Sequence, residues 1–115
     1  MLYDFIGQGE TMDFKLCSVP MLMSRNKNED YKGMVREQLT NLMDFLKSEE
    51  LIYVNPFDAS GNLRQDFVLN ASDSSSEAIE LFKKAIPAWF NYLDTGGDVK
   101  NLSTLEKALA SLRGK

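Results

Sequence analysis

The groups in this chain best suited to chemistry are its carboxylates: 17 Asp and Glu against 13 Lys and Arg, with no histidine. Lacking imidazole, the chain has no commonest general base, no commonest metal ligand and no serine or cysteine triad that relies on it. What remains is carboxylate chemistry, which needs two acids converging in a cleft with one of them desolvated, and no spacing here pairs them. Asp58, Ser60 and Asn62 alternate as in a calcium loop, but the ninth and twelfth positions counted from Asp58 are Asp66 and Leu69. A calcium loop closes on a bidentate glutamate at the twelfth, so the stretch reads as a turn stabilised by its Asx side chain. Cys17 is the single cysteine. It excludes an intrachain disulfide and a multi-cysteine zinc site, and it has no histidine to activate it, so it reads as a structural thiol. Gly7-Gln8-Gly9 lacks the third glycine and the strand–helix setting of a phosphate loop. The residues therefore imply no catalytic centre, no metal and no cofactor.

Composition bounds the rest. A chain of 115 residues, 43% hydrophobic and 26% charged, matches one globular domain, residues 1–115, with a real core. No stretch is long and apolar enough to span a membrane. The start, Met1 to Ile6, has no basic region and is soon followed by Gly7 and Gly9, which is unlike a signal peptide. A reducing cytoplasm is the expected compartment. The net charge is -4 and is uneven: residues 71–98 carry -3 and residues 99–115 carry +3. An acidic body disfavours nucleic acid and favours a protein partner with a basic surface, while Lys100, Lys107, Arg113 and Lys115 are too sparse for a nucleic-acid arm.

The elements follow from periodicity. Leu2, Tyr3, Phe5 and Ile6 are apolar enough to pack but are interrupted by glycines. Met12, Phe14 and Leu16 alternate with Asp13, Lys15 and Cys17, a short strand with the first set inward. Val19 to Met23 has no clear period, and Pro20 argues against a central strand there. Tyr31, Met34, Val35, Leu39, Leu42, Met43 and Leu46 fall at helical steps, with Asn28 as N-cap and Glu29 and Asp30 in the first turn. Arg36, Thr40 and Asp44 lie on its solvated face. Leu51 to Val54 and Asp66 to Asn70 are two β-prone runs that read as a hairpin with a long tip.

Asp73 or Ser74 then caps a helix carrying a stripe at 78, 79, 82, 85, 86, 89, 90 and 93, with Glu77 as capping-box partner. Pro87 interrupts it. The stripe keeps its phase, so a kink near Ile86 is expected in preference to a break, with Trp89, Phe90 and Tyr92 buried against the first helix and the hairpin. Gly96-Gly97 ends it, and Ser103 with Glu106 opens a last helix striped by Leu102, Leu105, Leu109 and Leu112. The fold class is α+β: three main helices packed with a small antiparallel sheet or hairpin.

Two family layouts are similar to this order. Phe45 to Val54 followed by Asp66 to Leu69, helix then hairpin, resembles the helix and wing of winged-helix DNA-binding domains, though only one helix precedes the hairpin and the wing tip carries Asp58 and a single Arg64. A second resemblance runs from Met12 to Leu112. A helix ending in Phe45-Leu46, then Leu51-Ile52, Asn55-Pro56, a capped helix with Phe82 and Trp89, Leu93-Asp94 before glycine, and a leucine-striped helix look like small bacterial immunity proteins of contact-dependent and related polymorphic toxin systems. That resemblance implies a cytoplasmic, non-enzymatic inhibitor held tightly on a cognate toxin domain, often a nuclease. The acids expected to face such a partner are Asp58, Asp66, Asp73, Glu77, Glu80, Asp94 and Asp98.

Overall fold

The computed structural model describes residues 14–25 and 27–114. The readings made for Leu2 to Ile6, Gly7-Gln8-Gly9, Met12, Asp13 and Lys115 lie outside them. In chain order the described elements are β1 (Lys15–Ser18), α1 (Val19–Met23), α2 (Glu29–Ser48), β2 (Val68–Asn70), a 3₁₀ turn (Ala71–Asp73), α3 (Ser76–Lys83), α4 (Ala85–Asp94) and α5 (Ser103–Arg113). Helices joined to a two-stranded antiparallel sheet among the described residues make this an α+β fold.

The long helix forms as its sequence dictates. Asn28 Oδ1 accepts the main-chain N–H groups of Asp30 and Tyr31 at 2.7 and 3.3 Å, with Glu29 and Asp30 in the first turn, satisfying donors that a helix start leaves orphaned. Val35, Leu39, Leu42, Met43, Phe45 and Leu46 are buried, while Met34 stays 46% exposed. The helix ends on Glu50, whose φ of 60° is left-handed. Leu51 N–H then reaches back to Leu46 O at 2.8 Å and Glu50 N–H to Lys47 O at 3.0 Å, the two reversed bonds of a Schellman stop. Glycine usually takes that position because an L side chain is strained there. The same motif closes α4, with Gly96 at φ +97° and bonds from Gly97 N–H to Tyr92 O and from Gly96 N–H to Leu93 O, both 3.0 Å.

Three expectations are corrected. First, Leu51–Val54 does not pair with Asp66–Asn70. Leu51 is still engaged in stopping α2, and Ile52 makes a single bridge to Ser74. The intervening chain folds in on itself through a Phe57–Leu63 bridge and a buried Pro56. Val68–Asn70 pairs instead with β1, Cys17 opposite Leu69 and Ser18 opposite Val68. The wing that the winged-helix comparison needs is not formed. Second, β1 does not keep the expected alternation: Cys17 is buried and Phe14 is 55% exposed, while Leu16 packs partly buried against the core and Lys15 is exposed, as expected. An irregularity between Lys15 and Cys17 shifts the register, and one added residue moves side chains to the other face.

Third, the Pro87 helix breaks where a kink was expected. Lys84, at φ -141° and ψ -54°, separates α3 from α4. A proline ring clashes with the carbonyl four residues earlier, here Lys83, the last residue of α3. Placed in the first turn of α4, Pro87 costs no hydrogen bond, since donors there have no partner within the helix. Of the stripe, Ala78, Ile86, Trp89 and Leu93 are buried on the two sides of the break, and Ile79, Phe82, Ala85 and Phe90 are half-buried, as is Tyr92. Leu81, outside the expected stripe, is buried with them.

Two caps also shift. Ser75, in place of Asp73 or Ser74, caps α3 by accepting Ala78 N–H at 3.1 Å. At α5 Ser103 makes no capping box, because Asn101 Oδ1 already accepts the Ser103 N–H at 3.1 Å.

The strained stop at Glu50 gives a testable consequence. Glu50→Gly raises the unfolding free energy by about 0.5–1 kcal/mol, since relief of the left-handed strain outweighs the added freedom of the unfolded chain. Gly96→Ala lowers it by a similar amount, and Leu42→Ala lowers it by about 2–5 kcal/mol. Urea unfolding followed by Trp89 fluorescence measures all three.

Candidate functional site

Most of the acids are placed by a local reason. Asp58 Oδ1 accepts Ser60 N–H at 2.9 Å and Asn62 N–H at 3.0 Å, the Asx-stabilised turn expected there. Asp66 is exposed and lies 3.6 Å from Arg64. Asp73 turns back on its own 3₁₀ turn, its Oδ2 accepting Asn70 N–H at 3.3 Å. Glu80 pairs with Lys83 at 2.9 Å along α3. Asp98 Oδ1 accepts Lys100 N–H at 3.0 Å in the loop after α4. Asp94, at the end of α4, is exposed and takes part in no ion pair among the described residues.

Glu77 belongs to a network that the sequence does not reveal. Arg113 Nε lies 3.3 Å from Glu77 Oε1, Arg113 Nη1 lies 3.1 Å from Glu49 Oε1, and Arg113 Nη2 donates to Glu49 O at 2.9 Å. One guanidinium thus joins the end of α5 to the start of α3 and the end of α2, where a cation also meets the negative pole of the helix. The basic tail is in this part a tether, with its charge already matched.

Around Trp89 the polar groups are equally committed. The indole is fully buried and its Nε1–H donates to Asn101 O at 2.9 Å. Tyr92 Oη accepts from Asp98 N–H at 3.0 Å and from Asn101 Nδ2 at 3.2 Å. These bonds hold the 95–102 loop closed between α4 and α5. Gly97 packs so tightly on the Tyr92 ring that a Cβ there would collide with it. Trp89 is core, as the helical stripe predicts.

Cys17 is buried, and loss of solvent pushes its thiol from the ordinary 9.0 up to about 11. Its proton therefore stays on at neutral pH, and the thiolate that nucleophilic chemistry needs is not formed. Among the described residues no group of three or more Cys, Asp or Glu stands close enough to hold a metal ion, and no helix is long and apolar enough to cross a membrane.

Two surface features remain open to a partner. Tyr53 is 70% exposed, yet its main chain is fixed: its N–H donates to Asp73 O at 2.8 Å, and Leu51 and Ile52 just before it are buried. The other feature is a cleft where α1, α2 and α4 meet, with Asp94 and Arg25 at its lining. Gln38 lies in it, only 9% exposed. The helical reading of 31–46 passed over this residue, although position 38 falls in the phase of Val35 and Leu42, and a polar residue in an apolar stripe is a signal in its own right.

Two outcomes check this account. Stability falls as pH rises from 9 towards 11, because the unfolded thiol ionises at its ordinary 9.0 while the buried one keeps its proton to about 11. Below pH 9 the Cys17 contribution is fully present, and above 11 about 2–3 kcal/mol is lost. Cys17→Ala removes that pH dependence in denaturant titrations. Arg113→Ala costs about 1 kcal/mol, a loss that shrinks in 1 M salt because the ion pairs are half exposed.

The chain matches no family model, no curated protein and no solved structure.

Proposed function

We propose that this is a small protein-binding module, an immunity protein of the cytoplasm that neutralises a cognate toxin domain by covering it. It acts by stoichiometric occlusion, without catalysis. The observation that carries the reading is Tyr53, whose ring is 70% exposed on a main chain held by Asp73 and anchored by buried neighbours. A rigid exposed aromatic loses little entropy on docking, and such residues supply most of the affinity at interfaces. The net charge of -4 supports the same reading. Acidic groups are drawn to the basic cleft of a nuclease and occupy the space where phosphates would sit. Asp58, Asp66, Glu80, Asp94 and Asp98 are the exposed members of the acidic set. Asp66, Glu77 and Glu80 already meet cations of this chain, so their share in partner binding is the smaller.

The test is co-expression with the variable C-terminal domain of a large secreted protein encoded next to this one. A one-to-one complex and restored growth are the expected results. Tyr53→Ala weakens the complex about 30-fold or more, the loss of one interface hot spot. Charge reversal at Asp58 and Asp98 slows association and flattens its salt dependence. Failure of any such domain to co-purify, together with salt-sensitive binding to duplex DNA, overturns the reading.

A further inference from the structure

We propose that the cleft between α1, α2 and α4 binds a free apolar or aromatic α-amino acid, a role separate from the inhibitor reading above. The cleft holds about 400 Å³, within the range of small-molecule sites. Leu22, Met34, Val35, Leu39 and Phe90 supply the apolar part of its walls, and Tyr31 lines it as well. Gln38 projects from α2 into this setting at 9% exposure and makes no side-chain hydrogen bond among the described residues. A carboxamide has two donors and two acceptor lone pairs, and buried polar groups are nearly always paired. An unpaired amide at the wall of an open apolar cleft is a group that a ligand's polar tip can satisfy.

The lining charges identify the rest of the ligand. Arg25 follows α1 and Asp94 ends α4, and neither forms an ion pair with the other or with any described residue. A planar guanidinium suits a carboxylate, and a carboxylate suits an ammonium. A fatty acid would leave Asp94 unmatched, and an amine would leave Arg25 unmatched. A zwitterion with an apolar body matches both and places its side chain against the walls. A hydroxyl at the tip of that side chain would give the Gln38 amide a partner, so tyrosine is preferred to phenylalanine.

The experiment is a ¹H–¹⁵N titration of the full chain with L-tyrosine, L-phenylalanine and L-leucine, and with tyramine and N-acetyl-L-tyrosinamide as controls. The amino acids are expected to shift resonances of α1, α2 and α4, with tyrosine severalfold tighter than phenylalanine. Tyramine, which lacks the carboxylate, and the capped amide, which lacks both charges, are expected to bind at least tenfold more weakly than tyrosine. Gln38→Leu retains the fold, since it replaces an unpaired buried amide with an apolar group of similar size, and it abolishes the preference for tyrosine over phenylalanine. Arg25→Ala, at an exposed position, reduces tyrosine to the affinity of tyramine. The proposal is overturned if no amino acid binds at millimolar concentration or if Gln38→Leu leaves the tyrosine preference intact. Equal or tighter binding of the capped amide also overturns it, and would mark the cleft as a seat for a side chain of a protein partner.

Discussion

The 20 residues of α2 carry seven buried side chains, six of them apolar, and a helix alone has nowhere to put them. That burial is the demand the other elements answer, because an amphipathic helix in water is held chiefly by what packs on its apolar stripe. The buried residues of β1, β2, α3, α4 and α5 join the same continuous core. The polar bonds then fix how each element is aimed. Arg113 ties three helix termini together, and the Trp89 indole with the Tyr92 hydroxyl closes the loop that returns α5 to α4.

This arrangement explains why so many charged groups are held by local bonds. A 115-residue domain has a large surface relative to its core, so its loops and helix ends draw on side chains to satisfy their main-chain groups. Asp58, Asp73 and Asp98 each accept a main-chain N–H, while Glu77 and Glu80 meet cations of the same chain. The groups left over are informative for that reason. Tyr53 is exposed without being loose, and Gln38 is buried with no side-chain hydrogen bond among the described residues.

Much of the fold was legible because it rests on local rules. The Asn28 cap, the acidic first turn, the stripe of α2 and the Gly96 stop all appear where spacing and residue type place them. The Asx turn at Asp58 is likewise a property of five consecutive residues. Errors arose where two local signals competed or where the partner was distant. The stripe across Pro87 favoured a continuous helix, but the clash with Lys83 O was stronger and split it at Lys84. Alternation from Met12 favoured Phe14 inward and Cys17 outward, and an irregularity in pairing between Lys15 and Cys17 broke that alternation.

By itself the sequence determined the α+β class, the extent and buried face of α2, the capping of its first turn, and the core position of Trp89. Each follows from interactions within one or two helical turns. Tertiary structure alone decided which runs pair as strands, since Leu51–Val54 and Val68–Asn70 are equally β-prone and only packing sends the second to β1. It also decided that Arg113 spends its charge on Glu49 and Glu77, residues 64 and 36 positions away. The same holds for the cleft in which Gln38, Arg25 and Asp94 meet. Convergence of distant side chains depends on how elements pack, and no periodicity along a chain encodes it.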